Sequence, residues 1–352
     1  MDSVSAHLAR LGARSRPTGG AAVADARSYC SDVLRSLGFV VSERSFDFSA
    51  FPGAYAAPAF GLVIPGMATL LFAARHSRLE WLVLGLSLLI LWLLVRGTGP
   101  RAVLDGPLMR RTGVNLHAVR GASDPAVWLV AHLDSKWQPV SMVTRVAGVL
   151  TLGVGLIALA IASIVNASVA PITLGVIGLG AIPLVLSVVG DANHGTLDNA
   201  SGVAAVLEAA ALIRNERPIG ILISDAEELA LAGVRAWARS TAPAIALNCD
   251  SVDDEGPLVA MYTRTRTDHL VESLGSAARE TGEQLRILRL IPGILTDSVA
   301  LADAGWQTVT LSRGTLRTLK RIHTVHDTLS TMRGIGIPGA ARVLALAATE
   351  LG

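Results

Sequence analysis

The chain has 352 residues, of which 51% are hydrophobic, 16% charged and 4% aromatic. An average soluble domain is about a quarter charged, so this composition, with a mean hydropathy of +0.51, excludes an ordinary soluble enzyme and a disordered chain. The net charge of +2 offers no basic field for nucleic acid, and two cysteines, Cys30 and Cys249, exclude a disulfide scaffold and a cysteine-rich metal site.

The first twenty residues lack the apolar core of a cleavable signal peptide. A helix is predicted near 20–37 and a strand near 39–47. From Ser49 no charge appears until Arg75; after the polar stretch Arg75-His76-Ser77-Arg78 with Glu80, the run WLVLGLSLLILWLLV reaches Val95. A membrane-spanning helix needs about 20 apolar residues, so spans are predicted near 55–74 and 79–96. Strands follow near 113–119 and 126–131. Val146 to Gly190 is then free of Asp, Glu, Lys and Arg and is divided near Asn166–Pro171, which predicts spans near 146–165 and 169–189. Water-soluble helices keep a polar face, and an uncharged run of this length leaves none.

Beyond the second hairpin the pattern changes. A helix near 200–215, a strand at 218–224, a helix at 229–240 and a strand at 244–249 are followed by similar units and a last helix near 335–350. Short β-runs alternating with helices predict an α/β fold with a mostly parallel sheet flanked by helices. The predicted organisation is a discontinuous catalytic domain from 1–48, 101–142 and 191–352, interrupted by transmembrane hairpins at 53–96 and 146–190.

Five segments place acidic residues and histidines at the ends of predicted strands or at the start of a helix. They are His132-Leu133-Asp134, Asp198-Asn199-Ala200-Ser201-Gly202, Asp225-Ala226-Glu227-Glu228, Asn248-Cys249-Asp250 and His323-Thr324-Val325-His326-Asp327-Thr328. Each alone has a plain reading: Asp198-Asn199 as a helix cap, Glu227-Glu228 as a solvated helix start, Asp327 as a turn cap. Together, nitrogen and carboxylate donors without thiolate suit catalytic zinc, and paired metals need a carboxylate between them.

In this order the segments resemble the di-zinc aminopeptidase family, metallopeptidase family 28, which includes bacterial leucyl aminopeptidase and aminopeptidase Y. GVAAVLEAA after Asn199 and ILTDSVALADAGWQTVTL resemble the family too. The resemblance implies a zinc-exopeptidase fold and two zinc ions. His132 and Asp250 would bind one zinc, Asp198 would bridge both, and Glu228 and His323 would complete the second site. Glu227 would be the general base that takes a proton from the attacking water, and Asp134 would orient His132. Asp297 would stand near the substrate, and His326 is read as a surface residue. The implied substrate is a peptide; the lipid bilayer is expected from the apolar hairpins, in which this sequence departs from the usual soluble members of the family.

Four other readings compete. A related peptidase family with the same ligand order inserts a dimerisation domain before the last ligand, but only 72 residues separate Asp250 from His323. Glutaminyl cyclases bind one zinc, and His132-Leu133-Asp134-Ser135-Lys136 resembles their His-Tyr-Asp-Ser-Lys. A membrane scaffold without activity, or a transporter, fits the spans but not the full ligand set.

His132 and Asp198 must reach the same metals, so the block between them crosses a bilayer twice or not at all. Arg96, Arg101, Arg110, Arg111, Lys136 and Arg145 lie near the catalytic ends of the spans, against Arg75 and Arg78 at the tips. The excess of positive charge predicts a cytoplasmic catalytic domain.

Overall fold

The computed structural model describes residues 3–75, 77–165, 169–214, 217–291 and 293–352. In chain order the elements begin with α1 (Ser3–Leu11), α2 (Ala21–Ser36), β1 (Val40–Ser49), α3 (Phe51–Ala74), α4 (Glu80–Thr98) and α5 (Pro100–Asp105). Next come β2 (Arg110–Arg120), β3 (Val127–His132), α6 (Met142–Ile164), α7 (Ala170–Val185), α8 (Gly202–Leu212) and β4 (Ile219–Ser224). They continue with α9 (Ala232–Ala238), β5 (Ile245–Val252), β6 (Leu258–Tyr262), α10 (Asp268–Thr281) and β7 (Leu285–Arg289). The last are α11 (Asp297–Asp303), β8 (Gln307–Arg313), α12 (Leu316–Arg321) and α13 (Ile337–Leu351). Two compact units result: Met1–Phe48, Arg110–Trp137 and Asp191–Gly352 form one, Ser49–Met109 and Gln138–Gly190 the other.

The first unit is built on one eight-stranded sheet in the order β1-β2-β4-β3-β5-β8-β6-β7. Its centre, β4-β3-β5-β8, is parallel, while β2 and β6 pair antiparallel with β4 and β8. The sheet is therefore mixed around a parallel core. VWLVAH in β3 and IGILIS in β4 are buried at every position. That is why they read as unbroken apolar runs rather than alternating ones. On one face Trp128, Trp237 and Trp306 pack with Val130, Leu222, Val234 and Leu301. A Cβ on Gly220 would meet the Trp128 ring at 2.3 Å, so glycine is required for the indole to lie against β4.

The predicted helix at 229–240 is shorter in the structure. Ala226, Ala230 and Leu231 all have positive φ, and regular helix begins only at Ala232. The preceding residues are held in an irregular turn that serves the site described below. The helix predicted near 200–215 ends at Leu212, and residue 215 lies outside the described residues. Helix α1 was not expected; it buries Val4, Leu8 and Leu11, spaced four and three residues apart on one face.

In the second unit α3, α4 and α6 are long and apolar enough to cross a membrane by length and composition. Only 6% of the most apolar window of α4 is buried, so protein packing does not account for its hydrophobicity. The fourth predicted span forms α7, which at 16 residues is shorter than expected and stops at Val185. The expected tip between α6 and α7 includes residues 166–168, which lie outside the described residues. α6 and α7 approach closely through glycine: a Cβ on Gly180 would lie 2.4 Å from the Leu152 nitrogen, and one on Gly148 2.9 Å from the Gly180 carbonyl. Small residues let apolar helices pack this tightly.

Candidate metal centre

The register of the parallel strands brings the site together. Val130 in β3 is level with Asn248 in β5, so His132, the last residue of β3, and Asp250, at the irregularity near the end of β5, are each two residues further on and stand side by side. His132 is also level with Ser224 at the end of β4, which places the turn carrying Glu227 and Glu228 directly beyond it. Asp198 lies on the irregular turn Thr196–Ser201 before α8, and His323 follows α12. All six side chains are buried.

Asp198 divides its two oxygens between two histidines. Oδ1 is 3.1 Å from His132 Nε2, and Oδ2 is 3.0 Å from His323 Nε2. On the first side His132 Nε2 is also 3.8 Å from Asp250 Oδ1; on the second His323 Nε2 is 3.2 Å from Glu228 Oε1. Donor atoms of His132, Glu227 and Asp250 lie within 4.8 Å of one another, as do those of Asp198, Glu228 and His323. Four ligands at zinc distances stand about 3.3 Å apart, so both clusters suit a tetrahedral ion. Glu228 Oε1 and His323 Nδ1 are buried and make no hydrogen bond among the described residues.

The electrostatics agree with a cation site. Asp134, Asp198, Glu227, Glu228, Asp250 and Asp297 crowd the centre, and buried like charges need compensation. Burial pushes the Glu227 carboxyl well above its ordinary range; Glu228, Asp297 and Asp250 add to this and His132 opposes it. Burial acts the same way on Asp198, yet hydrogen bonds from His132 and His323 hold it below the carboxylate range. Glu228 is held at about 2, against its burial, by His323 and by Lys136. Lys136 Nζ is 2.6 Å from Glu228 Oε2, which leaves Oε1 facing His323.

Asp134 has a wider role than the sequence suggested. Its Oδ1 accepts the Glu227 N–H at 3.0 Å and its Oδ2 accepts the Glu228 N–H at 3.1 Å. These two bonds hold the irregular turn that delays α9. His132 Nδ1 is 3.1 Å from the Asp134 carbonyl oxygen and 3.6 Å from its carboxylate, so the nearer partner is the backbone. Asp297 begins α11, is buried and accepts from Ser224 Oγ, while burial lifts its carboxyl to about 7. His326 is exposed, outside the cluster.

Three residues were missed as parts of the site. Asp327 is 1% exposed and accepts the backbone N–H groups of Leu197 and Asp198, so the turn it holds is the distant one that carries Asp198. Asn199 donates to the Cys249 carbonyl and accepts from the Gly202 and Ser251 nitrogens, tying the Asp198 turn to β5. Lys136 pairs with Glu228. All three lie within or beside the segments already singled out, but which partner each reaches depends on long-range contacts.

The model of peptidase family M28 matches residues 115–345, well over half of the chain. Among solved structures, the aminopeptidase from Aneurinibacillus sp. strain AM-1 superposes with a TM-score of 0.61 at 13% identity, covering 98% of this chain and 92% of that one. A zinc aminopeptidase from Bacillus subtilis gives 0.57 at 14% identity, with 99% and 94% covered. A glutaminyl cyclase from Bacteroides thetaiotaomicron bound to N-acetylhistamine gives 0.57 at 15% identity, with 98% and 94% covered. At these identities the likeness is one of fold. No curated protein sequence matches the chain.

Proposed function

The chain belongs to peptidase family M28, and we propose that it is a membrane-embedded di-zinc exopeptidase that acts as an aminopeptidase. The observation that carries this reading is the divided carboxylate of Asp198, one oxygen toward each histidine cluster. His132 and Asp250 would hold one zinc, Glu228 and His323 the other, and Asp198 would bridge them. Bound zinc would supply Lewis acidity toward a peptide carbonyl and lower the pKa of water.

The chain's own residues would do the rest. Glu227 is buried within the first cluster, with His132 and Asp250, and its raised proton affinity suits a group that accepts the water proton and returns it to the leaving amine. Asp134 would keep Glu227 and Glu228 at fixed height through their backbone N–H groups. Lys136 would hold Glu228 to one metal-facing oxygen. Asp297 would stand at the substrate side.

α3, α4 and α6 support membrane embedding, with α7 as the fourth crossing. His132 and Asp198 meet at 3.1 Å, and among the described residues α6 and α7 are the long apolar segments between them, so an embedded chain would cross the bilayer an even number of times there. The arginines near the span ends favour a cytoplasmic site.

A glutaminyl-cyclase-like acyl transfer at a single zinc is the second reading, favoured by Lys136 beside Glu228 and by the cyclase-like fold. The test is zinc per chain for the detergent-purified protein, with an aminoacyl-amide panel and an N-terminal glutaminyl peptide as substrates. Two zinc ions and amide hydrolysis support the exopeptidase. One zinc with pyroglutamyl product and no hydrolysis supports the cyclase, and no zinc removes both.

A further inference from the structure

We propose that Arg16 is a positioning residue for the metal centre: its guanidinium clamps the two loops that carry His132 and Asp198, and zinc affinity depends on that clamp. The inference rests on the zinc-binding reading above. Arg16 lies about a hundred residues before the segment that matches the family model, and nothing in its surroundings in sequence, Ser15-Arg16-Pro17-Thr18, marks it as part of a site.

The side chain is 1% exposed. Nε donates to the Leu133 carbonyl at 2.7 Å, between His132 and Asp134. Nη1 donates to the His194 carbonyl at 2.7 Å and to that of Leu11; Nη2 donates to the Gly195 carbonyl at 2.9 Å. The backbone adds to the clamp. Arg16 N–H donates to Ser135 Oγ at 2.9 Å, the Ser135 N–H donates to the Arg16 carbonyl at 3.1 Å, and Ser135 Oγ donates to the Asn193 carbonyl at 3.2 Å.

One side chain therefore joins residues 133–135, which follow His132, to residues 193–195, which lead into Asp198. The fit is close. Gly195 has φ of +62°, and a Cβ there would lie 2.5 Å from Ser135 Cβ and 3.2 Å from Arg16 Nη2. Among the described residues every hydrogen bond of the guanidinium ends on a backbone carbonyl. Its charge is offset at longer range: burial lowers its pKa to about 10, and Asp327, Asp134 and Asp198 oppose that. A fixed cation thus sits among the carboxylates that flank the metal ligands. The planar fork spreads its donors over three nitrogens and so reaches carbonyls on separate loops, whereas a lysine ammonium carries its three donors on one nitrogen. Loss of residues that orient metal ligands typically lowers affinity about 10–100-fold.

The experiment uses full-length apo protein in detergent. Zinc affinity and stoichiometry are measured by competition with a chromophoric chelator for wild type, Arg16→Lys and Ser135→Ala, beside far-UV circular dichroism and thermal melting. The expected result is a folded Arg16→Lys protein whose affinity at both sites falls about 10–100-fold, because Asp198 serves both. Ser135→Ala keeps the guanidinium but loses one bridge, and its affinity should fall less, by about threefold to tenfold. If folded Arg16→Lys binds zinc within twofold of wild type, the clamp is purely structural and the proposal is overturned. If Arg16→Lys does not fold, unchanged affinity in Ser135→Ala overturns it and weakened affinity supports it. A wild type that binds no zinc fails on the underlying reading, a result distinct from a wild type that binds zinc as tightly as its variants.

Discussion

Asp327 Oδ2 accepts the backbone N–H of Asp198 at 3.1 Å, and its other oxygen accepts the N–H of Leu197 at 2.6 Å. Two residues separated by more than a hundred positions are thus locked, and the carboxylate that faces both histidines is held from its own backbone. Asparagine has one acceptor oxygen where aspartate has two. Asp327→Asn should leave the protein folded and lower zinc affinity about tenfold, read by chelator competition; unchanged affinity would show that the Asp198 turn holds itself.

The divided carboxylate makes an asymmetric prediction about metal content. Asp198→Ala should lose both zinc ions, while His323→Ala should retain one, on the His132 and Asp250 side. Elemental analysis per chain checks it. Equal losses in the two variants would contradict independent clusters joined at Asp198.

Glu227→Gln should keep its metal and lose activity. A positioned general base contributes about 10²–10⁴-fold to rate, so kcat on aminoacyl amides should fall by that factor with KM little changed. An active Glu227→Gln enzyme would assign the proton transfer elsewhere.

Stability of the metal-free protein should fall as pH rises from about 4 to 7. Burial lifts the carboxyls of Asp225 and Asp327 to about 6 and that of Asp297 to about 7, against an ordinary 3.8. Between the unfolded and folded values the native state binds more protons, so raising pH favours unfolding. Glu228, held at about 2, and Asp198, held lower still, contribute stability that is nearly complete across this window and is lost as pH falls below it. Zinc should reverse the slope, since it binds deprotonated ligands. Melting temperatures at pH 5 and 7.5, with chelator and with zinc, measure both signs; a metal-free protein that melts higher at pH 7.5 would be inconsistent with these shifts.

Gly180→Leu should break the second hairpin. Any side chain there meets the Leu152 backbone, where even a Cβ would be 2.4 Å from nitrogen. Lower yield from membranes and a lower melting temperature in detergent are expected, with Gly175→Leu as the control, since a Cβ at Gly175 meets no described atom within 4 Å.

Much of this protein was legible in its sequence because the signals are local. The apolar character of an uncharged run such as Val146–Gly190 is read from composition alone. The buried strands β3 and β4 are continuous apolar runs, and the acidic and histidine segments stand at their ends. What remained hidden depends on register and on chain-distant backbone groups. The sheet is mixed because β2 and β6 run against their neighbours, a choice made by pairing and not by periodicity. α9 begins late because Asp134, almost a hundred residues earlier, holds the Glu227 and Glu228 N–H groups.

The sequence by itself determined the donor types and their order: histidines and carboxylates at the strand ends of an α/β domain, and two apolar blocks inserted into it. Only the tertiary structure decided how they meet: Asp198 facing both histidines, Lys136 on Glu228, Asp327 and Arg16 beneath the loops. The physical reason is that side-chain chemistry is written residue by residue. The partner of a buried carbonyl or N–H is set by whichever distant segment the fold brings to it.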